Sequence, residues 1–180
     1  MPFLTQIIDE SSITPDVDAA IRRSLCICFP ADVGSFAKTR SWHGSGPTFS
    51  VLIEHHGQVI AHVGIVDRTV RFGPTPVRAA GVQNVIVLPA YRGKGLSDAV
   101  MTTAVAESRR RGFDLGVLFC ISPLAKVYAR MGWQLIDRDV LRRDDDGIDK
   151  PLPGTNLAMI YPLRITQAPA GVIYLEGNDW

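Results

Sequence analysis

The stretch Tyr91-Arg92-Gly93-Lys94-Gly95-Leu96-Ser97 constrains the fold of this chain more than any other. It follows an apolar run, Val85-Ile86-Val87-Leu88, and opens a segment of helical character from Ser97 to Arg111. A strand, a glycine-bearing turn and a helix start bring free backbone amides and the positive end of a helix dipole to one place. Glycine lets the backbone approach a bound group closely, and the combination suits a diphosphate. A Gly-x-Gly-x-x-Gly dinucleotide fingerprint would need a third glycine, but that position is Asp98, and Glu107 falls inside the helix rather than at a strand end. A Gly-x-x-x-x-Gly-Lys-Ser/Thr loop is absent.

Composition narrows the function classes. A chain of 180 residues is expected to form one domain, residues 1–180, with a real hydrophobic core. Its 19 basic and 18 acidic residues leave a net charge of +1, which argues against binding nucleic acid by electrostatics. No apolar run approaches the roughly 18 residues that a membrane span needs. The start, Met1-Pro2-Phe3-Leu4-Thr5, lacks the basic-then-apolar pattern of a signal peptide. Cys26, Cys28 and Cys120 form no Cys-x-x-Cys pair and read as reduced thiols of a cytoplasmic protein.

Periodicity predicts the elements. Thr14-Pro15 fits an N-cap and first helical position, and Val17, Ala20, Ile21, Leu25 and Cys28 extend a helix to residue 28. Residues 30–47 read as a loop, with a short helix within it as the alternative. Strands are expected over 49–54, 59–72 and 77–88, the first two joined by a turn at His55-His56-Gly57-Gln58. A helix then ends at Gly112, followed by a strand over 114–121, a short helix over 123–131 and strands over 133–136 and 157–163. Residues 142–150 read as a polar loop, and the end of the chain as a tail. The order implies an α/β sheet with helices on its faces.

Two motifs carry a family resemblance. Arg92-Gly93-Lys94-Gly95-Leu96-Ser97 resembles the Arg/Gln-x-x-Gly-x-Gly/Ala acyl-CoA loop of the GNAT N-acetyltransferases, with Ser97 as the last small residue. About thirty residues later, Leu124-Ala125-Lys126-Val127-Tyr128-Ala129-Arg130-Met131-Gly132-Trp133 is similar to the superfamily's Tyr-x-x-x-Gly-Phe/Trp helix and strand. The hairpin His55 to Val63 and the ending Gly177-Asn178-Asp179-Trp180 resemble aminoglycoside 2′-N-acetyltransferases. Arg40-Ser41-Trp42-x-Gly44 and Pro169-Ala170-Gly171 resemble nodulation N-acyltransferases. The resemblance implies the GNAT fold: a mixed, mostly antiparallel sheet flanked by helices, with strands that splay apart at the acyl-CoA site.

It also implies acetyl transfer from acetyl-CoA to a small polar amine, an amino sugar or aminoglycoside among the candidates, by direct attack and without a metal. A longer acyl donor of nodulation type, or a CoA-binding regulatory module without turnover, are the rivals. The donor would lie on the backbone of Ile86 and Val87 and on the loop Arg92, Gly93, Lys94, Gly95, Leu96 and Ser97. Tyr128 matches the family's general acid, a phenol near pKa 10 facing a thiolate near 8.5. Gln83 stands where the aminoglycoside enzymes carry a glutamate base, and an amide can hold water or substrate but accepts no proton. Trp42, His43, Asn84, Asp179 and Trp180 are expected on the acceptor side. His62 reads as a satisfied sheet histidine, His55 and His56 as turn residues, and no histidines have zinc-ligand spacing. Arg109-Arg110-Arg111 reads as complementing a helix C-terminus, or as a partner for the adenosine 3′-phosphate. By analogy alone, edge strands and the C-terminal segment are where a homodimer would form.

Overall fold

A computed structural model describes residues 3–180. In chain order the elements are β1 (Thr5–Asp9), α1 (Pro15–Cys28), α2 (Val33–Phe36), β2 (Phe49–His55), β3 (Gln58–Phe72), β4 (Thr75–Val87), α3 (Leu96–Arg110), β5 (Leu115–Ile121), α4 (Ser122–Arg130), β6 (Gln134–Leu135), β7 (Val140–Arg143), β8 (Asp149–Pro151), β9 (Asn156–Pro162) and β10 (Ile173–Tyr174). The strands form one mixed sheet. β1 to β4 pair antiparallel in succession, β5 runs parallel to β4, and β9 and β6 follow antiparallel.

α1 forms where the sequence predicts it. The Thr14 hydroxyl accepts from the Val17 amide, Pro15 supplies the first turn, and Asp16 and Asp18 complement the dipole. Its buried face, Ile21 and Leu25, joins Leu52, Val59 and Ile86 in one apolar cluster. α3 lays Val100, Met101 and Ala104 on the opposite face of the sheet, against Val51, Ile65 and Val82.

Three expectations need correction. Thr5–Asp9, to which the sequence reading gives no element, form strand β1. Residues 142–150 are not simply a loop: β7 and β8 pair across a turn, and Arg143 binds Asp149 at 2.9 Å. The last segment is not a loose tail. β10 pairs with the far end of β3 and parallel to β7, and Ile173 and Leu175 are fully buried.

The feature that shapes the site is a parting of strands. β4 and β5 pair from Ala79↔Leu115 to Val82↔Leu118 and no further, although β4 runs on to Val87 and β5 to Ile121. At the same point the β3–β4 register slips: His62 faces Ile86 and Gly64 faces Gln83, so two residues of β4 oppose Val63 alone. Asn84 is one of the two and has φ +55, a left-handed conformation that asparagine tolerates better than most residues. Its carbonyl lies 3.0 Å from His62 Nδ1, while His62 Nε2 lies 3.1 Å from Ser50 Oγ. The ring is buried and bonded on both nitrogens, which makes it a fixture of the bulge.

Burial pushes the His62 pKa down to about 4. The neutral ring is the folded form, so stability is full above the free-histidine value near 6.5, erodes from there down to pH 4, and falls no further below. The gap corresponds to roughly 3 kcal/mol. Urea unfolding of a His62→Gln variant is expected to show lower stability at pH 7 but a flatter decline between pH 6.5 and 4. Equal slopes would assign that decline to other groups.

Candidate active site

The parted strands open two adjoining cavities. The first, about 260 Å³, is lined by Val85, Ile86 and Val87 of β4, by Arg92, Gly93, Gly95, Leu96 and Ser97, and by α4. The second, about 410 Å³, lies between the edges of β4 and β5 and beneath the loop that follows α2. Tyr128, Val85 and Leu124 line both, so the cavities meet there.

The loop of the first cavity has the geometry of an anion cradle. Gly93 and Gly95 adopt φ +75 and +72, and the second caps α3. A Cβ at either would meet no atom within 4 Å, so the loop stands open at those positions. Among the described residues the amides of Gly93 to Ser97 make no hydrogen bond of good geometry to a protein acceptor. N–H groups at the start of a long helix are thus left open to an acceptor. Arg92 Nε donates to the Val87 carbonyl at 3.2 Å and ties the loop to β4, while Lys94 Nζ lies 5.1 Å over the Tyr91 ring. The arginine run lies apart from this loop in its bonding: Arg110 and Arg111 grip Glu107 at 2.6 Å, Arg111 also binds Asp9, and Arg109 donates to the carbonyls of Pro162 and Leu163. Those contacts hold the Glu107 carboxyl down at about 2.

Tyr128 is positioned by α4, whose Met131–Gly132 turn feeds Trp133 back toward the sheet. The residue is 9% exposed. Its hydroxyl makes no hydrogen bond among the described residues, although it is not shut off from solvent. Burial, with a smaller push from Cys120, raises its pKa to about 12. The phenol is therefore protonated across the neutral range, and further from a thiolate near 8.5 than the sequence alone suggests.

The second cavity is walled by two segments far apart in sequence, the loop around 40–47 and residues 176–180. Arg40, nearly buried, binds Asp18 at 2.6 Å and also Glu10. Its carbonyl accepts from Asn84 Nδ2 at 2.6 Å, an arrangement that fixes the amide's orientation, since a flip would set oxygen against oxygen. Trp42 packs edge-on against Phe36 at 4.6 Å and lines the cavity as well, so it serves as core anchor and wall together. His43, half-exposed with φ +44, sets Nδ1 2.9 Å from Asp179 Oδ1. The approach is out of line for a hydrogen bond, which leaves that oxygen without a directed donor. Arg142 stands behind it at 3.7 Å. Ser45 joins the two segments, bonding the Asp179 carbonyl at 3.0 Å and Arg68 at 2.9 Å.

Gln83 is held at both ends. Its Nε2 donates to the Ser45 carbonyl at 2.6 Å, and its Oε1 accepts from the Trp42 amide at 3.3 Å. The side chain is a tie between β4 and the loop. Residues that pattern-reading overlooked are Phe29, Phe119 and Asn156 in the cavity wall and Gly81 beneath it. Only Gly81 carried a signal, a glycine inside a buried strand. Among the described residues no three His, Cys, Asp or Glu side chains gather as a metal-ligand set, and no helix is long and apolar enough to cross a membrane. Gln83→Ala is expected to lower stability by about 1–3 kcal/mol and to speed proteolysis within residues 40–47. An unchanged cleavage rate would remove the tie from this account.

Comparison with known proteins accords with this geometry. A family model described as an acetyltransferase (GNAT) domain matches residues 18–136, more than half of the chain. An aminoglycoside 2′-N-acetyltransferase of Mycolicibacterium fortuitum is 28% identical over 128 residues, 71% of this chain. The match spans 63% of that relative's length. Two solved structures share the fold. A GNAT family N-acetyltransferase from Escherichia coli, in complex with CoA, superposes with a TM-score of 0.69 at 19% identity over 96% of this chain and 89% of its own. A GNAT family acetyltransferase from Brucella melitensis, in complex with acetyl-CoA, gives 0.59 at 21% identity over 94% of each chain. With its strands parted at a β4 bulge and its amide-lined loop at the head of α3, this chain belongs to the GNAT acetyltransferase family.

Proposed function

We propose that the chain, as a single domain, is an N-acetyltransferase that moves an acetyl group from acetyl-CoA to a primary amine of a small molecule. The observation that carries this reading is the unpartnered Tyr128 hydroxyl at the junction of an anion cradle and a second, acceptor-sized cavity. Loop amides without well-formed protein partners, and open space at the Cβ positions of Gly93 and Gly95, fit a pyrophosphate and its pantetheine arm. When bound, acetyl-CoA supplies the acyl group as a thioester. The backbone of β4 beyond the bulge, freed from β5, offers N–H donors to the charge that develops on the carbonyl oxygen. Tyr128 gives its proton to the departing sulfur.

The amine must lose its proton to attack. Gln83 accepts none, and burial pushes the Cys120 thiol up, as it does Tyr128. The remaining titratable groups of the cavity wall are His43 and Asp179, which stand together. They form the proton-accepting pair in this reading, with Asp179 offsetting the charge that His43 gains. The named relative makes amino sugars and aminoglycosides the first acceptors to try. Free thiols at Cys26, Cys28 and Cys120 suit the reducing cytoplasm.

Two variants test the two halves of the site. Calorimetry with CoA should detect binding to the native chain, and Gly95→Glu should abolish it by adding charge and a side chain at φ +72. Unchanged affinity would contradict the cradle. In thiol-release assays with acetyl-CoA and a panel of amines, Tyr128→Phe should cut turnover by roughly 10²-fold or more. A near-native rate would remove Tyr128 from the chemistry, and tight CoA binding with no release on any amine would favour a regulatory module.

A further inference from the structure

The cleft between the parted strands has a direction and a closed end. Along β4 the order from the anion loop inward is Val87, Ile86 and Val85, then the Asn84 bulge, then Gln83, Val82 and Gly81. The strands rejoin at Val82↔Leu118, and one pair further, at Gly81↔Val117, an indole lies across them. A Cβ on Gly81 would come within 2.7 Å of Trp180 Cδ2 and Cζ2, so the ring rests on the bare backbone of β4. Trp180 Nε1 donates to the Val117 carbonyl at 3.3 Å, which ties the same ring to β5. Phe119 packs at 5.4 Å on one side, and the Arg68 guanidinium lies 5.2 Å from the ring centroid. Arg68 is itself held by Ser45 and the Asn178 carbonyl. The ring is 6% exposed and still lines the cavity that reaches Tyr128.

We propose that Trp180 is the end stop that sets the length of acyl chain this site takes, and that the donor is a short acyl-CoA. The inference rests on the acyl-CoA reading of the site. With the pyrophosphate on the loop and the thioester beside Tyr128, the acyl group points away from the loop, along β4 toward Gly81. From Asn84 to Gly81 is three residues, roughly 10 Å at 3.3 Å per residue, and the thioester and the ring take part of it, leaving space for about two to four carbons. A longer chain must displace an indole that is hydrogen-bonded to one strand, seated on the other and covered by a cation. Gly81 is the complement of Trp180: only a residue without a side chain leaves the ring this seat.

The test is the affinity of the full chain for CoA, acetyl-, butyryl-, hexanoyl- and octanoyl-CoA, by calorimetry. Acetyl- and butyryl-CoA should bind like one another, and octanoyl-CoA at least about tenfold more weakly, in line with what a tightly walled apolar pocket discriminates. In Trp180→Ala the ratio of octanoyl to acetyl affinity should rise at least about tenfold. Trp180→Leu, which keeps an apolar filling, should rise less, and it serves if the alanine variant does not fold. Octanoyl-CoA binding to the native chain as tightly as acetyl-CoA, or a ratio unmoved by both variants, overturns the end stop and leaves the acetyltransferase reading intact. No affinity for CoA or any acyl-CoA overturns both.

Discussion

The hydrogen bond between His62 and the Asn84 carbonyl is the contact on which the site's geometry depends. It stabilises a left-handed residue in the middle of a long strand, and that residue is where β4 changes register against β3. Past this point β4 is free to leave β5. The candidate site follows from the gap: β4 backbone released toward one cavity, and α4 able to bring Tyr128 to its rim. A straight β4 would keep pairing with β5 and leave no cleft. The sheet gives up part of its ladder to make room for a ligand, a trade common at bulges beside binding sites.

Much of this was legible in the residues. Helix α1, the three long strands, α3 and α4 all carry local signals, a cap, a period or a glycine stop, and the two motifs on the donor side lie within contiguous stretches of chain. β1, β7, β8 and β10 carry no comparable signal, because strands of two to five residues are defined by the partner they find. The acceptor wall was harder for the same reason. Trp42, His43, Asp179 and Trp180 could be nominated, but the links among them run through Ser45, Arg40 and Arg68, whose types gave no hint of it.

Gln83 shows how chemistry and position separate. Its residue type rules out a base, yet its place in the sequence drew attention to it. Both ends of its amide have partners in the loop that carries Trp42 and His43, so the side chain fastens that loop to β4. Tyr128 is the reverse case: packed like a core residue, it keeps its one polar atom unspent.

The link from Ser45 to Asp179 spans 134 residues. During synthesis, the glycine loop, the parted strands and Tyr128 are all made well before the segment that walls the second cavity emerges. The first cavity can assemble from neighbours in sequence, whereas the second must wait for a long-range closure. Until that closure the indole seat on Gly81 is empty and the cleft runs through open-ended. A chain lacking residues 176–180 would therefore keep the glycine loop of the first cavity and lose a wall of the second.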